Sequence, residues 1–269
     1  MRRLTEALLI TGMVLSGAGA VFAQFENWEE VKGKHFIVLF PSQEQSLFAR
    51  RILKEAERYY KDIAEEIGYT RYGNFWTWDD RARIILFPDK ASFIETTGQP
   101  GWSTGFAGRD ALLFSSRTIV TYPQEEEFFD GVLPHEISHL IMADFLGGQQ
   151  NIPVWLDEGV AQLQEKHKSE IARAMMQILV PGRRHVPFVT MMYWDISRET
   201  DNAKVKIFYT QSLSMVEFMI KRYGSSAFGR LCRLMRDGRN FEEALRVSYS
   251  NRVASIADLE EQWIKSIYP

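Results

Sequence analysis

The segment Leu133-Pro134-His135-Glu136-Ile137-Ser138-His139 is the most informative stretch of this 269-residue sequence. It has helical periodicity, and side chains four positions apart in a helix project from the same face. The imidazoles of His135 and His139 can therefore reach one ion. Glu136 is turned from His135 by about 100° and can lie beside a water molecule at that ion. Two histidines and a glutamate with this spacing are typical of a zinc site.

A second helical segment, Trp155–Ala161, supplies a third candidate ligand. Eighteen residues separate its Glu158 from His139. A catalytic zinc ion uses three protein ligands and keeps one position open for water, so a carboxylate from a neighbouring helix would complete a His₂Glu set. The predicted metal ligands are His135, His139 and Glu158, and Glu136 is the predicted general base.

Strand patterns precede these two segments, and helical patterns follow them. Apolar runs at 35–40 and 81–87 end at prolines and predict strands, and a helix that Ser42 and Gln45 would cap is predicted between them. Glycines between residues 102 and 122 predict a hairpin at a sheet edge. Further helices are predicted at about 133–145, 154–168, 202–223, 226–236, 241–248 and 256–267, with residues 181–200 irregular.

This order of elements indicates an α+β fold with a small mixed sheet. We expect residues 24–168 to form a strand-bearing lobe that includes the zinc-binding helices. Residues 169–269 are expected to form a helical C-terminal lobe that closes a cleft. The length of the chain is that of one catalytic unit.

Charge and cysteine content exclude some classes of protein. The formal net charge is −3 and is spread over mixed-sign segments, which argues against a nucleic-acid binder. The single cysteine, Cys232, permits no intramolecular disulfide and lies in an apolar helical pattern that favours core packing. Neither feature indicates an oligomeric state.

The N-terminal 23 residues are typical of a secretory signal peptide. Met1-Arg2-Arg3 is basic, Ala7–Ala20 is mostly apolar, and Val21-Phe22-Ala23 predicts cleavage before Gln24. The alternative is a retained N-terminal membrane anchor, although the apolar run is shorter than the ~20 residues that a spanning helix needs. We therefore expect an exported protein, periplasmic or extracellular, with no stable membrane span after cleavage.

The motifs together resemble the gluzincin metallopeptidases, which include thermolysin and the aminopeptidase N group, and more closely the bacterial peptidase MA-like domains. The resemblance covers about residues 30–269 and implies a thermolysin-like fold. Its first motif implies two zinc-binding histidines and a base, and its second implies the third ligand. The matching stretches are Leu133–His139, Trp155–Ala161 with Glu165 following, and Tyr209-Thr210-Gln211-Ser212 in a helix that ends at Gly224.

By the same resemblance, Tyr209 corresponds to a tyrosine that hydrogen-bonds the developing oxyanion. A phenol donor beside zinc can stabilise that negative charge. The alternative is that Tyr209 is one more aromatic residue on an amphipathic helix with Phe208, Val216 and Met219. If Tyr209 does not stabilise the oxyanion, Tyr193 and His185 are the next candidates for the hydrogen-bond donor.

One departure from the family concerns substrate choice. Aminopeptidases of the superfamily bind the substrate amine with a glutamate in a Gly-Ala-Met-Glu-Asn type strand. The comparable stretch here, Thr104–Asp110, contains no glutamate, although Asp110 could substitute. This departure favours an endopeptidase, in which the strand is expected to pair with extended substrate backbone.

The sequence thus predicts an exported, zinc-dependent peptidase that acts on peptide or protein substrates. One alternative is a non-catalytic, metal-binding envelope protein that binds peptide or a protein partner. A binding module has no chemical need for Glu136, which argues against this alternative. A zinc hydrolase of a non-peptide amide is the second alternative.

Overall fold

The computed structural model describes most of the chain beyond residue 24. The described residues are 25, 27–69, 81–101, 103, 105–107, 117–123, 128–147, 152–250 and 252–268. They fall into two compact units, Met1–Glu57 with Trp76–Gln124 and Arg58–Phe75 with Glu125–Pro269. Within the described part of the chain, no helix is both long enough and apolar enough to cross a membrane. The predicted signal peptide, residues 1–23, lies outside the described residues.

A five-stranded mixed sheet forms the framework of the first unit. Its strands are β1 (Glu29–Lys32), β2 (Phe36–Phe40), β3 (Ala82–Leu86), β4 (Gly105–Ala107) and β5 (Thr118–Thr121). Their order is β1-β2-β3-β5-β4, with parallel pairing in the centre and an antiparallel strand at each edge. The two predicted strands and the edge position of the glycine-containing strand are confirmed. β1 was not predicted.

Burial alternates along the strand β2. Phe36, Val38 and Phe40 of β2 are buried, and the residues between them are only partly buried, which is the period-2 pattern of a pleated strand. A helix between β3 and β4, α2 (Lys90–Thr97), contributes Phe93 to an apolar cluster of the sheet. The other buried members of that cluster are Phe25, Ile85, Phe87, Phe106, Val120 and Tyr122.

The α-helix predicted to begin at Ser42 begins at Ser46 instead. A 3₁₀ turn, Gln43–Gln45, precedes α1 (Ser46–Glu66). Among the described residues, the Ser42 side chain accepts no capping hydrogen bond. The side-chain amide of Gln45 instead donates to the carbonyls of Phe87 and Pro88, each at 3.2 Å. The predicted capping box is therefore wrong, because this amide satisfies backbone acceptors beyond the end of β3.

The second unit is mostly helical. A π turn, Phe128–Val132, leads directly into the first of its helices, and the side chains of Asp201, Asn240 and Ser255 cap three later ones. The helices are α3 (Leu133–Phe145), α4 (Val154–Leu163), α5 (Lys168–Leu179), α6 (Phe188–Met191), α7 (Asn202–Tyr223), α8 (Ser225–Arg236), α9 (Phe241–Ser248) and α10 (Ile256–Ile267).

Two helix predictions need correction. The helix expected over 154–168 ends at Leu163, and α5 follows it as a separate, unpredicted helix. His167 between them has φ 65°, a left-handed conformation that breaks the helix. The segment 181–200, expected to be irregular, contains the short helix α6.

The predicted lobe boundary at residue 168 falls within the second unit. The reason is that α4 packs most extensively against α7, which belongs to the predicted C-terminal lobe. Gly159 of α4 makes this packing possible, because a Cβ at Gly159 would lie 2.5 Å from the Ser212 carbonyl oxygen and 2.6 Å from Val216 Cγ2. Glycine therefore permits a close approach that no side chain allows.

Candidate metal centre

Three side chains from two helices converge in the second unit. His135 and His139 lie one turn apart on α3, and Glu158 lies on α4. The two Nε2 atoms are 3.1 Å apart, and His135 Nε2 is 3.9 Å from Glu158 Oε2. One ligand atom from each residue lies within 4.8 Å of the other two, so the group could hold a metal ion. The structure brings the predicted ligands together, and their binding of zinc stays a prediction.

The orientation of both imidazoles suits the binding of a metal ion through Nε2. His135 Nδ1 is 2.9 Å from Glu165 Oε1, and His139 Nδ1 is 3.1 Å from Asp157 Oδ2. An Nδ1–H that donates to a carboxylate leaves the Nε2 lone pair available to a cation. The cluster is therefore a His₂Glu donor set in which both histidines have orienting carboxylates, and it fits zinc.

The orienting roles of Asp157 and Glu165 were not predicted. Asp157 precedes a candidate ligand directly, which is a local signal that sequence reasoning could have used. Glu165 was only part of a family match, and it lies 30 residues from His135. Contacts of that separation depend on how the helices pack, so no local pattern predicts them.

The turn after α4 holds Glu165 in position. The backbone N–H of Lys166 donates to the Asp130 carbonyl at 2.8 Å, and Lys166 Nζ is 2.6 Å from Asp130 Oδ2. Lys168 Nζ lies 3.4 Å from Glu165 Oε2. Burial would raise the pKa of Glu165, but its hydrogen bond to His135 and nearby positive charge hold that pKa below its ordinary value. These contacts join the turn to the π turn that precedes α3.

The electrostatic field of the cluster favours positive charge. Burial alone would lower the pKa of His139, but the charges of Asp157, Glu158 and Glu136, together with the Asp157 hydrogen bond, raise it to about 10. Burial also raises the pKa of Glu158, although the two histidines oppose that shift. A divalent cation would meet the same field and would displace the proton from His139.

Tyr209 lies on α7 near the candidate ligands. Burial, and then the charge of Glu158, raise the pKa of Tyr209 to about 12, so its hydroxyl is a donor at neutral pH. Phe208 and Val216 are fully buried, whereas Tyr209 is only partly buried. Tyr209 is therefore less buried than the core residues of α7. Its role at the oxyanion stays a prediction.

Other side chains considered from the sequence have different surroundings. His185, a further candidate for the oxyanion donor, is mostly buried, with its Nε2 3.4 Å from Glu260 Oε1 and its ring packed against Trp263. Tyr193 is exposed. Cys232 is buried in α8, as predicted, and burial raises its pKa to about 12.

The stretch Thr104–Asp110 is described only in part. Its residues Gly105–Ala107 form the edge strand β4 of the first unit. Asp110, the possible substitute for the missing glutamate, lies outside the described residues. The pairing of this strand with substrate therefore stays a prediction.

Comparison with known families agrees with this arrangement. The profile of the Peptidase MA superfamily matches residues 98–269. The matched region contains both helices of the cluster, the turn that carries Glu165, and Tyr209 on α7. No curated protein was found to be similar to the sequence.

Proposed function

Because the chain belongs to the Peptidase MA superfamily, we propose that it is a zinc-dependent endopeptidase acting on peptide or protein substrates. The family supports a peptidase-like domain, and zinc dependence, endopeptidase preference and a thermolysin-like arrangement are the finer parts of the proposal. The observation that carries zinc dependence is the convergence of His135, His139 and Glu158 with an orienting carboxylate behind each histidine.

In this proposal, the Nε2 atoms of His135 and His139 and the carboxylate of Glu158 hold the zinc ion. The bound ion supplies Lewis acidity, which polarises the scissile carbonyl and makes water easier to deprotonate. Asp157 and Glu165 keep the two imidazoles in the tautomer that presents Nε2. Removing either carboxylate would weaken retention of the metal.

The remaining residues move protons and stabilise charge. Glu136 accepts a proton from the attacking water and passes it to the leaving nitrogen. Tyr209 donates a hydrogen bond to the oxygen of the scissile carbonyl as negative charge develops on it. The raised pKa of Tyr209 supports this role, because the hydroxyl keeps its proton at neutral pH.

Endopeptidase preference and export rest on the sequence. The stretch Thr104–Asp110 lacks the glutamate that aminopeptidases of the superfamily use to bind a free amine. Residues 1–23 have the pattern of a secretory signal, so we propose that the mature chain acts in the periplasm or outside the cell. A non-catalytic envelope protein would give no role to Glu136.

The decisive experiment compares Glu136→Gln with the parent and with Glu170→Gln, an exposed glutamate on α5. We expect Glu136→Gln to retain about one zinc ion and to lose ~10² to 10⁴-fold in hydrolysis of an unfolded protein, because an amide cannot accept the proton. Glu170→Gln should behave as the parent. Undiminished hydrolysis by Glu136→Gln, or failure of the parent to bind zinc on loading, would refute the proposal.

A further inference from the structure

Helix α5 carries two rows of apolar residues, and only one of them is buried. The buried row consists of Ala172, Met176 and Leu179, and α5 packs against α7. Three- and four-residue spacing places the other apolar residues in a second row, about 10 Å long: Ile171, Ala174, Met175 and Ile178. This second row is the α5 stripe.

The α5 stripe is exposed over most of its length. Ile171 is 52% exposed and Ile178 is 63% exposed. Ala174 between them is also exposed, and Met175 is half-buried. Single exposed apolar residues are common on protein surfaces, but a contiguous row is typical of a surface that binds another molecule. The charges at the two ends of the stripe indicate which molecule.

The N-terminal end of the stripe is acidic. Glu170, next to Ile171, has 78% of its side chain exposed and lies 3.6 Å from His167. The two neighbouring lysines, Lys166 and Lys168, already contact other carboxylates of the second unit, at 2.6 and 3.4 Å. The carboxylate of Glu170 is therefore the charge that this end presents to a partner.

The C-terminal end of the stripe is basic. Helix α5 ends at Leu179, and the chain turns back so that the Arg184 N–H donates to the Leu179 carbonyl at 2.8 Å. Arg183 and Arg184 are exposed, and neither is paired with a carboxylate in the part of the chain that the structure describes. Arg184 thus lies level with the end of the stripe and can pair with an outside carboxylate.

A second copy of this chain is complementary to such a surface. In a two-fold pair with antiparallel α5 helices, Ile171 of each copy contacts Ile178 of the other. At the centre of the pair, the small side chain of Ala174 leaves room for Met175 of the second copy.

The charges select the antiparallel arrangement. When Ile171 lies opposite Ile178, Glu170 lies opposite Leu179 and therefore near Arg184 of the second copy, at both ends of the pair. Parallel helices would bring the two Glu170 side chains together and the two Arg184 side chains together, which like charges oppose. Antiparallel helices also place the helix dipoles in opposite directions.

We propose that the α5 stripe is the interface of a two-fold homodimer with antiparallel α5 helices. A contact of roughly three helical turns buries less than the ~1,200 Å² of a standard interface, so the dimer is weak and reversible, with a Kd of about 10 to 100 µM. An anionic lipid surface fits the stripe less well, because it would repel Glu170. At the far lower concentrations of an activity assay the chain is monomeric, so the dimer is independent of the proposed peptidase function.

The first test is sedimentation equilibrium of the purified protein from about 1 to about 300 µM, a range that brackets the expected Kd. Ile178→Asp places a charge in the stripe and should raise the Kd about tenfold or more, because the contact of a buried isoleucine is lost. Leu47→Asp is the matched control, since Leu47 is 82% exposed and lies on α1, and it should leave the Kd unchanged. Thermal unfolding followed by circular dichroism checks that both variants are folded.

The second test exchanges the charges. Glu170→Arg alone and Arg184→Glu alone each place like charges at both ends of the pair, and each should raise the Kd about fivefold or more. When the two variants are mixed in equal amounts, opposite charges face each other again at both ends. The mixed dimer should therefore form with about the affinity of the parent, a rescue that a destabilised fold would not give.

Three results would overturn the proposal: a parent that stays monomeric over the whole range, a dimer that Ile178→Asp leaves intact, or a mixture that associates no more tightly than each charge variant alone. A monomeric parent that co-sediments with phosphatidylglycerol vesicles, and loses this binding in Ile178→Asp, would also overturn it. The stripe would then face a membrane and not a second copy.

Discussion

Replacing Gly159 by alanine tests whether close packing of α4 against α7 positions the metal centre. A Cβ at this position would lie 2.5 Å from the Ser212 carbonyl oxygen, 2.6 Å from Val216 Cγ2 and 2.9 Å from the Ser212 carbonyl carbon. Ordinary contacts between such atoms begin near 3.5 Å, so the helices must separate by about 1 Å. A backbone carbonyl cannot rotate away as a side chain can.

The expected magnitude follows from two opposing effects. Alanine is favoured over glycine within a helix by about 1 kcal/mol, whereas overpacking of a filled interface costs about 1 to 3 kcal/mol. Because the closest atom belongs to the backbone, we expect the upper part of that cost and a net loss of about 2 kcal/mol in the free energy of unfolding. Glu158 adjoins Gly159, so the same displacement would move a candidate ligand away from the histidines.

The assays are denaturant unfolding of the metal-free protein, zinc affinity by competition with a chelator, and kcat on a peptide substrate. A 1 Å displacement of catalytic groups can lower a rate ~10²-fold, which sets the expected loss in kcat. Gly101→Ala is the control, since a Cβ there would have no described atom within 4 Å. Stability, zinc affinity and kcat of Gly159→Ala all equal to those of the parent would refute the reasoning.

Three further predictions concern protonation, the oxyanion and export. Folding raises the pKa of His139 from 6.5 to about 10, so the protonated imidazole stabilises the folded state. The free energy of unfolding of the metal-free protein should therefore fall as pH rises from 6.5 to about 10, where this proton is lost. Asp157→Asn should flatten this dependence, and urea titrations at several pH values would measure it; equal slopes in parent and variant would contradict the assignment. Tyr209→Phe should retain zinc and lower kcat by ~10² to 10³-fold with little change in KM. An unchanged kcat in steady-state kinetics would mean that Tyr209 only packs within the protein. Mass spectrometry of the native protein should find a chain beginning near Gln24, and a full-length cytoplasmic chain would contradict export.

Several features followed from the sequence because they depend on residues close together along the chain. His135 and His139 share a face because helix geometry alone relates positions i and i+4. The caps at Asn240 and Ser255 are equally local, since each side chain accepts a hydrogen bond from an N–H three residues later. The apolar run 35–40, which ends at Pro41, likewise predicted β2, because strand preference and its termination by proline are local properties.

Other features were decided only by tertiary structure. Gln45 could have formed a capping box with Ser42. Its side-chain amide instead donates to backbone carbonyls beyond the end of β3. Glu165 reaches His135 because α4 ends at Leu163 and the following turn bonds to Asp130.

The packing of α4 against α7 combines segments that are distant in sequence. Local patterns carry information over one or two helical turns, whereas these contacts depend on which backbones can approach each other. That approach is set at points such as Gly159, where the absence of a side chain lets two helices meet.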